Sequence, residues 1–359
     1  MKARIILITM TLCAILTLIC GCGKEEKKTA KETKTENPVV EEENEEPEPL
    51  VNPHKGQKKS LLTGLWVKKS VAKKRPIAFM MGNTSEAAPQ SGIGKASVVY
   101  EIPVEGGITR LMAIIEDYKK VDKIGSARSC RYYFVHYAME YDAIYCHFGQ
   151  SKYALPVLRK DSVNNINGLE NLAGKAYYRS NERKAPHNAY AVGEKLYNFA
   201  KNKGYRLNHE KNAKSHFRFA KKGNSLKNGK KAVTIKPGYR IDQPVFTYNK
   251  KKGQYYRSQY GKPHVDQESK KQLRCKNIIM QFVDIGLFND KKSLVIDTVG
   301  TGTGIFATKG KYIPIRWKKD SEFDVTHYYD GNGKEIRLNK GKTWVLIVDR
   351  SKVDQVSIQ

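Results

Sequence analysis

Residue types able to bind or turn over an anionic ligand concentrate between residues 101 and 151. Glu101, Glu105, Thr109 and Arg110 come first. Arg128 and Arg131 follow in Ser126-Ala127-Arg128-Ser129-Cys130-Arg131, and His147 and Ser151 close the set in His147-Phe148-Gly149-Gln150-Ser151. Guanidinium forks suit bidentate contacts with carboxylate or phosphate, and an imidazole changes charge near neutral pH. Arg183-Lys184-Ala185-Pro186-His187-Asn188 adds His187 and Asn188 to the candidates. One reading makes these residues a ligand cleft for an acidic or glycan ligand. The other makes them structural clamps, with the arginines paired to Glu101, Glu105, Glu140 or Asp142. A hydrolytic version gives Glu101 or Glu105 acid–base work with His147 as its partner, while arginines stabilise developing charge on a wall glycan or phosphodiester. Binding without catalysis is the preferred expectation.

Other chemistry is less well supported. Cys146 adjoins His147, but neighbours on a strand point to opposite faces and cannot form a dyad. Gly300-Thr301-Gly302-Thr303-Gly304 lacks a following helix and a Gly-Lys-Ser/Thr ending, so a tight glycine turn is expected rather than a phosphate loop. No His-Glu-x-x-His or Cys-x-x-Cys spacing occurs, and neither a metal site nor a cofactor is expected. Trp66, Trp317 and Trp344 suit either sugar stacking or a strand core.

The elements that would position these groups follow from periodicity. Arg75–Asn83, Ser97–Glu101, Thr109–Glu116 and Ala143–Gly149 are apolar, β-branched or aromatic runs that read as strands. Ser129–Tyr141 has helical spacing, and Ala189–Lys203 reads as a helix capped by Asn188. A His at the end of an α/β strand commonly faces a cleft. Further on, Pro244–Tyr248 with Gln254–Ser258, Phe306–Thr308 with Tyr312–Trp317, and Glu335–Leu338 with Thr343–Val348 read as hairpins, and Asp266–Arg274 as a helix. The fold class expected is mixed α+β. An N-terminal α/β domain (60–208) holds a mainly parallel or mixed sheet, a basic linker spans 209–231, and a mostly antiparallel β-rich domain covers 232–350.

The chain's start supplies an address. Lys2 and Arg4 precede an apolar run from Ile5 to Ile19, then Ile19-Cys20-Gly21-Cys22. This is the pattern of a lipoprotein signal peptide (1–21) removed before a cysteine that takes the lipid, and the run is too short to span a bilayer. Residues 22–59 then form an acidic tether with little to bury. The protein's formal net charge is +29; residues 1–23 carry +2 and residues 24–50 carry −5, which leaves +32 beyond residue 50. An extracytoplasmic location on the cell membrane directs such a charge toward anionic wall polymers, peptidoglycan or lipid head groups, and away from nucleic acid. With Cys13, Cys20 and Cys22 accounted for, Cys130, Cys146 and Cys275 remain, an odd number that leaves at most one bridge.

Several segments together resemble the YerB-type lipoproteins, a family with a two-part domain of unknown function (DUF3048). They are Ser60-Leu61-Leu62-Thr63-Gly64-Leu65, Arg75-Pro76-Ile77-Ala78, Pro89-Gln90-Ser91-Gly92, Val104-Glu105-Gly106-Gly107-Ile108-Thr109-Arg110, Ile124–Ser129 and Ala185–Asn188, with Gly300–Gly304 and Gly333–Trp344 in the C-terminal part. The resemblance covers roughly residues 60–350. It implies a lipid-anchored envelope protein with an α/β part followed by a β-rich part, and no established reaction.

Overall fold

Apolar runs with no polar face demand cover on both sides, and the structure provides it by placing them inside one broad sheet. The computed structural model describes residues 53–359; Cys22, the signal segment and nearly all of the tether lie outside the described residues. The sheet has eleven strands. From one edge they run Lys230–Lys231, Lys311–Lys319, Gly300–Thr308, Asn277–Val283, Thr343–Asp349, Val98–Pro103, Thr109–Ile115, Ile77–Gly82, Ile144–His147 and Asn165–Asn167, with His327–Tyr329 paired to Lys311–Lys319. In the N-terminal part the sheet is mixed: Ile77–Gly82 runs antiparallel to Thr109–Ile115 and parallel to Ile144–His147. Antiparallel hairpins dominate the C-terminal part. The architecture is therefore mixed α+β.

Strands from both sides of 209–231 meet at the centre of this sheet. Thr343–Asp349 lies parallel to Val98–Pro103, with Thr343 opposite Val98 and Leu346 opposite Glu101. Phe217 and Leu226, within the basic 209–231 stretch, are buried in the core. Asn52–Gln359 forms one compact unit.

Alternating side chains divide the core in two. Phe79, Met81, Leu111, Ala113, Met280, Trp344 and Leu346 face a layer built from Phe246 and Tyr255 of the hairpin Val245–Asn249/Gln254–Gln259 and from Leu196 and Ala200 of the helix Gly193–Asn202. Met80, Tyr100, Met112, Ile114, Val345 and Ile347 face the helix Tyr132–Met139, whose residues 133–138 are all buried.

Four local expectations are corrected. Gly300–Thr308 is one continuous strand, not a glycine turn. A Cβ on Gly302 would come within 2.5 Å of the Trp317 ring, and one on Gly304 would collide with the Met280 carbonyl, so these glycines let the strand lie against its neighbours. Thr343–Asp349 forms no hairpin with 335–338, because its apolar faces find parallel partners in Asn277–Val283 and Val98–Pro103. Residues 266–274 form a turn and the short strand Arg274–Cys275, since Asp266 accepts the Ser269 and Gly94 amides in place of a helical ladder. Ala189–Ala191 is a strand paired with Tyr177–Arg179, and the helix begins only at Gly193.

Glu101 and Arg257, both fully enclosed, tie the central strand to the overlying hairpin through two contacts of 2.8 and 2.9 Å. Arg257→Ala is expected to cost about 3–5 kcal/mol in urea denaturation, because it strands a buried carboxylate. Glu101→Met with Arg257→Met should cost less than that single change. Equal losses would show that charge pairing is not what the site contributes.

Candidate functional site

The sequence candidates separate into three places. Glu101 and Thr109 belong to the interior. The Glu101 carboxylate accepts from Arg257, from the Thr109 hydroxyl (3.1 Å), from the Asn83 amide (3.2 Å) and from the Trp344 indole N–H (3.1 Å). Burial raises its pKa and Arg257 opposes that rise; the surrounding donors all require an acceptor, which the ionised form provides. Arg257 also donates to Gln259 (2.7 Å) and to His264 Nδ1. His264 is thereby the Nε2–H tautomer, donating to Gln90 (2.5 Å), and burial followed by the Arg257 charge drives its pKa well down. The Thr109 backbone N–H donates to Asp242 (2.5 Å), which also accepts from Tyr260 (2.7 Å). Asn83, Gln90, Asp242, Arg257, Tyr260 and His264 were not candidates in the sequence. Arg257 lies 156 positions from Glu101, and no local spacing signals such a pairing.

The second place is an arginine cluster where the chain crosses the carboxyl ends of two parallel strands. Arg128 N–H donates to the Met80 carbonyl (3.1 Å), and its own carbonyl accepts from Phe148 N–H (2.9 Å). Cys130 N–H donates to the Gly149 carbonyl (2.8 Å), and the Cys130 carbonyl accepts from Ser151 N–H (3.1 Å). These bonds lay residues 128–131 over the ends of Ile77–Gly82 and Ile144–His147. From the other side comes the Glu105-Gly106-Gly107 turn, where φ of 80° and 75° at the two glycines reverses the chain tightly. Glu105 receives the Arg131 fork through Nε (2.9 Å to both oxygens) and Nη2 (2.6 Å). Although burial would raise the Glu105 pKa, Arg131 holds it below the usual carboxylate value.

Arg110 is the unusual member. Its Nη1 donates to the Ser129 carbonyl at 2.6 Å, and among the described residues it has no ion-pair partner. Burial lowers its pKa to about 10, and the neighbouring Arg131 and Arg128 charges push the same way. Arg128 donates to the Pro186 carbonyl (3.1 Å) and to His187 Nδ1 (3.0 Å), so His187 is a neutral acceptor here, its pKa lowered by burial and then by Arg128. The structure thus brings Glu105, Arg110, Arg128, Arg131 and His187 together. Beyond the turn, a cavity of about 430 Å³ is lined by Glu105–Thr109, Arg240, Leu287, Lys292 and Lys352.

His147, Ser151 and Asn188 do other things. His147 is fully buried, its Nδ1 2.8 Å from the Gly149 carbonyl and its Nε2 3.2 Å from the Asn165 side-chain oxygen. Its ring belongs with Asn165, Asn167 and Tyr205 around a separate cavity of about 410 Å³. Ser151 is half-buried and is held through its backbone bond to Cys130. Asn188 caps no helix; it accepts from Arg179 (2.7 Å) and donates to the Ser180 carbonyl (3.1 Å) across the loop between two strands.

Comparison with known proteins agrees with this architecture. The N-terminal domain described as "Protein of unknown function (DUF3048)" matches residues 62–206, and the C-terminal domain of the same description matches residues 233–345. "Putative lipoprotein YerB" of Bacillus subtilis (strain 168) is 30% identical over 294 residues, covering 81% of this chain and 86% of that protein. The crystal structure of YerB protein from Bacillus subtilis superposes with a TM-score of 0.75 at 30% identity, over 84% of this chain and 99% of that one.

Cys130, Cys146 and Cys275 are free and buried. Burial pushes the Cys130 thiol up to about 12 and raises the other two as well, which suppresses the nucleophilic thiolate. Alkylation at pH 8 followed by peptide mass spectrometry should leave all three unlabelled in the folded protein and label all three in denaturant. Rapid native labelling of Cys130 would restore it as a reactive candidate.

Proposed function

The chain belongs to the DUF3048 family, and we propose that this member is a cell-envelope lipoprotein, anchored through Cys22 on the extracytoplasmic face of the membrane, that binds an anionic wall polymer through Arg110, Arg128 and Arg131. The relative named as a lipoprotein and the Ile19-Cys20-Gly21-Cys22 pattern support the anchor. No helix among the described residues is long and apolar enough to cross a membrane. The observation that carries the binding reading is Arg110. Half-buried, flanked by the like charges of Arg128 and Arg131, with Glu105 already taken by Arg131, and hydrogen-bonded among the described residues to one carbonyl, it holds a charge that an incoming anion would stabilise.

Binding is favoured over hydrolysis for two physical reasons. A general acid needs a pKa raised toward the working pH, whereas Glu105 is held low and both of its oxygens are occupied by Arg131. His147, its proposed partner, is enclosed by Gly149 and Asn165 rather than facing the arginines.

Cosedimentation with purified wall sacculi, bearing or chemically stripped of their anionic polymer, tests the proposal. The protein should pellet only with the intact sacculi and release no soluble fragments. Arg110→Ala should weaken retention about tenfold or more, the loss expected for a charge-assisted hydrogen bond. Neutralising the exposed Lys250, Lys251 and Lys252 should weaken it less. Retention indifferent to Arg110 would sink the binding site, and fragment release would revive the hydrolase.

A further inference from the structure

A different cavity, of about 440 Å³, opens where residues 92–96, 120–123 and 266–275 surround the start of the Thr343–Asp349 strand. None of the arginine-cluster residues lines it. Its volume lies in the range of small-molecule sites, roughly 300–1,000 Å³. Lys123 is paired with Glu182 (2.6 Å), and five further cationic side chains, Lys95, Lys120, Lys271, Arg274 and Lys342, stand against three carboxylates. The carboxylates offset only part of this charge. Asp266 is buried, accepting from the Gly94 N–H (2.9 Å) and the Ser269 N–H (2.8 Å) while its charge acts on Lys342, and Glu268 and Asp122 are exposed.

Lys342 is the inner cation. Its ammonium donates to the Gly94 carbonyl, and among the described residues it forms no ion pair. Trp344, 3% exposed, lines the wall beside it. Lys95, Lys120, Lys271 and Arg274 are exposed. One half-buried ammonium with further cations at exposed positions suits a compact, multiply charged anion with a polar body.

We propose that this cavity is a binding site for a phosphorylated small molecule of sugar size, with Lys342 contacting the phosphate and Lys271 and Arg274 attracting it at the entrance. A lysine acts as a point charge on phosphate and needs no fixed fork geometry. The partial burial that lowers Lys342 to about 8 also weakens the screening of its attraction for such an anion. In the polar part of the wall, the Ser269 hydroxyl and the Gln272 side-chain oxygen offer hydrogen-bonding groups to hydroxyls.

Calorimetric titration of the full-length protein in detergent decides the matter, with glucose 1-phosphate, glucose and inorganic phosphate as separate probes. Glucose 1-phosphate should bind saturably, inorganic phosphate more weakly, and glucose without measurable heat. Lys342→Met should weaken glucose 1-phosphate binding by about tenfold or more. Because Lys342 also touches Gly94, the exposed pair Lys271→Ala/Arg274→Ala supplies a second reading; it should weaken binding about threefold or more and flatten its salt dependence, with an unchanged melting temperature. Arg110→Ala should leave the titration unchanged, which separates this site from the wall-polymer proposal. No saturable heat with glucose 1-phosphate, undiminished affinity in both lysine-site variants, or loss of binding in Arg110→Ala would each overturn the assignment.

Discussion

A guanidinium and a carboxylate, both fully enclosed, have to neutralise one another before this sheet can close around them. Taking either charge from water costs several kcal/mol, and the mutual attraction offsets that only when the remaining hydrogen-bonding positions are filled. At Glu101 they are filled from four directions: Asn83 follows one strand, Thr109 begins another, Trp344 lies on a third, and Arg257 comes from the overlying hairpin. A second enclosed pair works on the opposite face, where Lys319 meets Glu140 at 2.6 Å and Thr326 donates both N–H and O–H to the same carboxylate. Each pair joins a residue before position 208 to one after 232. Although two separate family domains match these regions, the charges of one are satisfied by the other.

This constraint shapes the candidate site indirectly. Glu101 and Thr109 are committed to the interior, so they fix the start of Thr109–Ile115 instead of meeting ligand. Fixing that strand fixes Arg110, the next residue, on the opposite face beneath the 128–131 crossing. Glu105, at the turn of the same hairpin, is then within reach of Arg131. The acids are thus consumed by pairing while one arginine is left over. Excess positive charge here results from topology as well as composition, since it is the pairing of Glu101 and Glu105 with other arginines that leaves Arg110 without a carboxylate among the described residues.

What the sequence made legible was local. Arg75–Asn83, Thr109–Glu116 and Ala143–Gly149 were visible as strands because a fully buried strand is apolar on both faces, and the Lys-Gly turns announced two hairpins correctly. Arg110, Arg128 and Arg131 were grouped in the sequence as members of one dense polar stretch, and the structure brings them close to one another. What failed was whatever depends on a distant partner. Thr343–Val348 looked like a hairpin arm because strand patterning does not say which neighbour it will choose. Gly300–Gly304 looked like a turn because the Trp317 ring that excludes a side chain there is invisible in the local pattern. His147 was read as sharing the arginine cleft, yet its ring is held by the Gly149 carbonyl and by Asn165 of the neighbouring edge strand, at a separate cavity.

Two kinds of positive charge therefore coexist, and they obey different physics. Exposed lysines such as Lys250–Lys252 act through solvent, where attraction fades within about 8 Å at physiological ionic strength. They can raise the local concentration of a polyanion, but any dense cationic surface would do the same. A half-buried guanidinium such as Arg110 sits where the effective dielectric is lower than in solvent and screening is weaker, so its attraction is stricter in geometry. It discriminates among anions by fit to the groups around it, the Ser129 carbonyl and the Arg131–Glu105 pair included. A surface of the first kind with a site of the second collects anions broadly and retains them selectively, and only the retention depends on how the Glu101 network positions the strand beneath it.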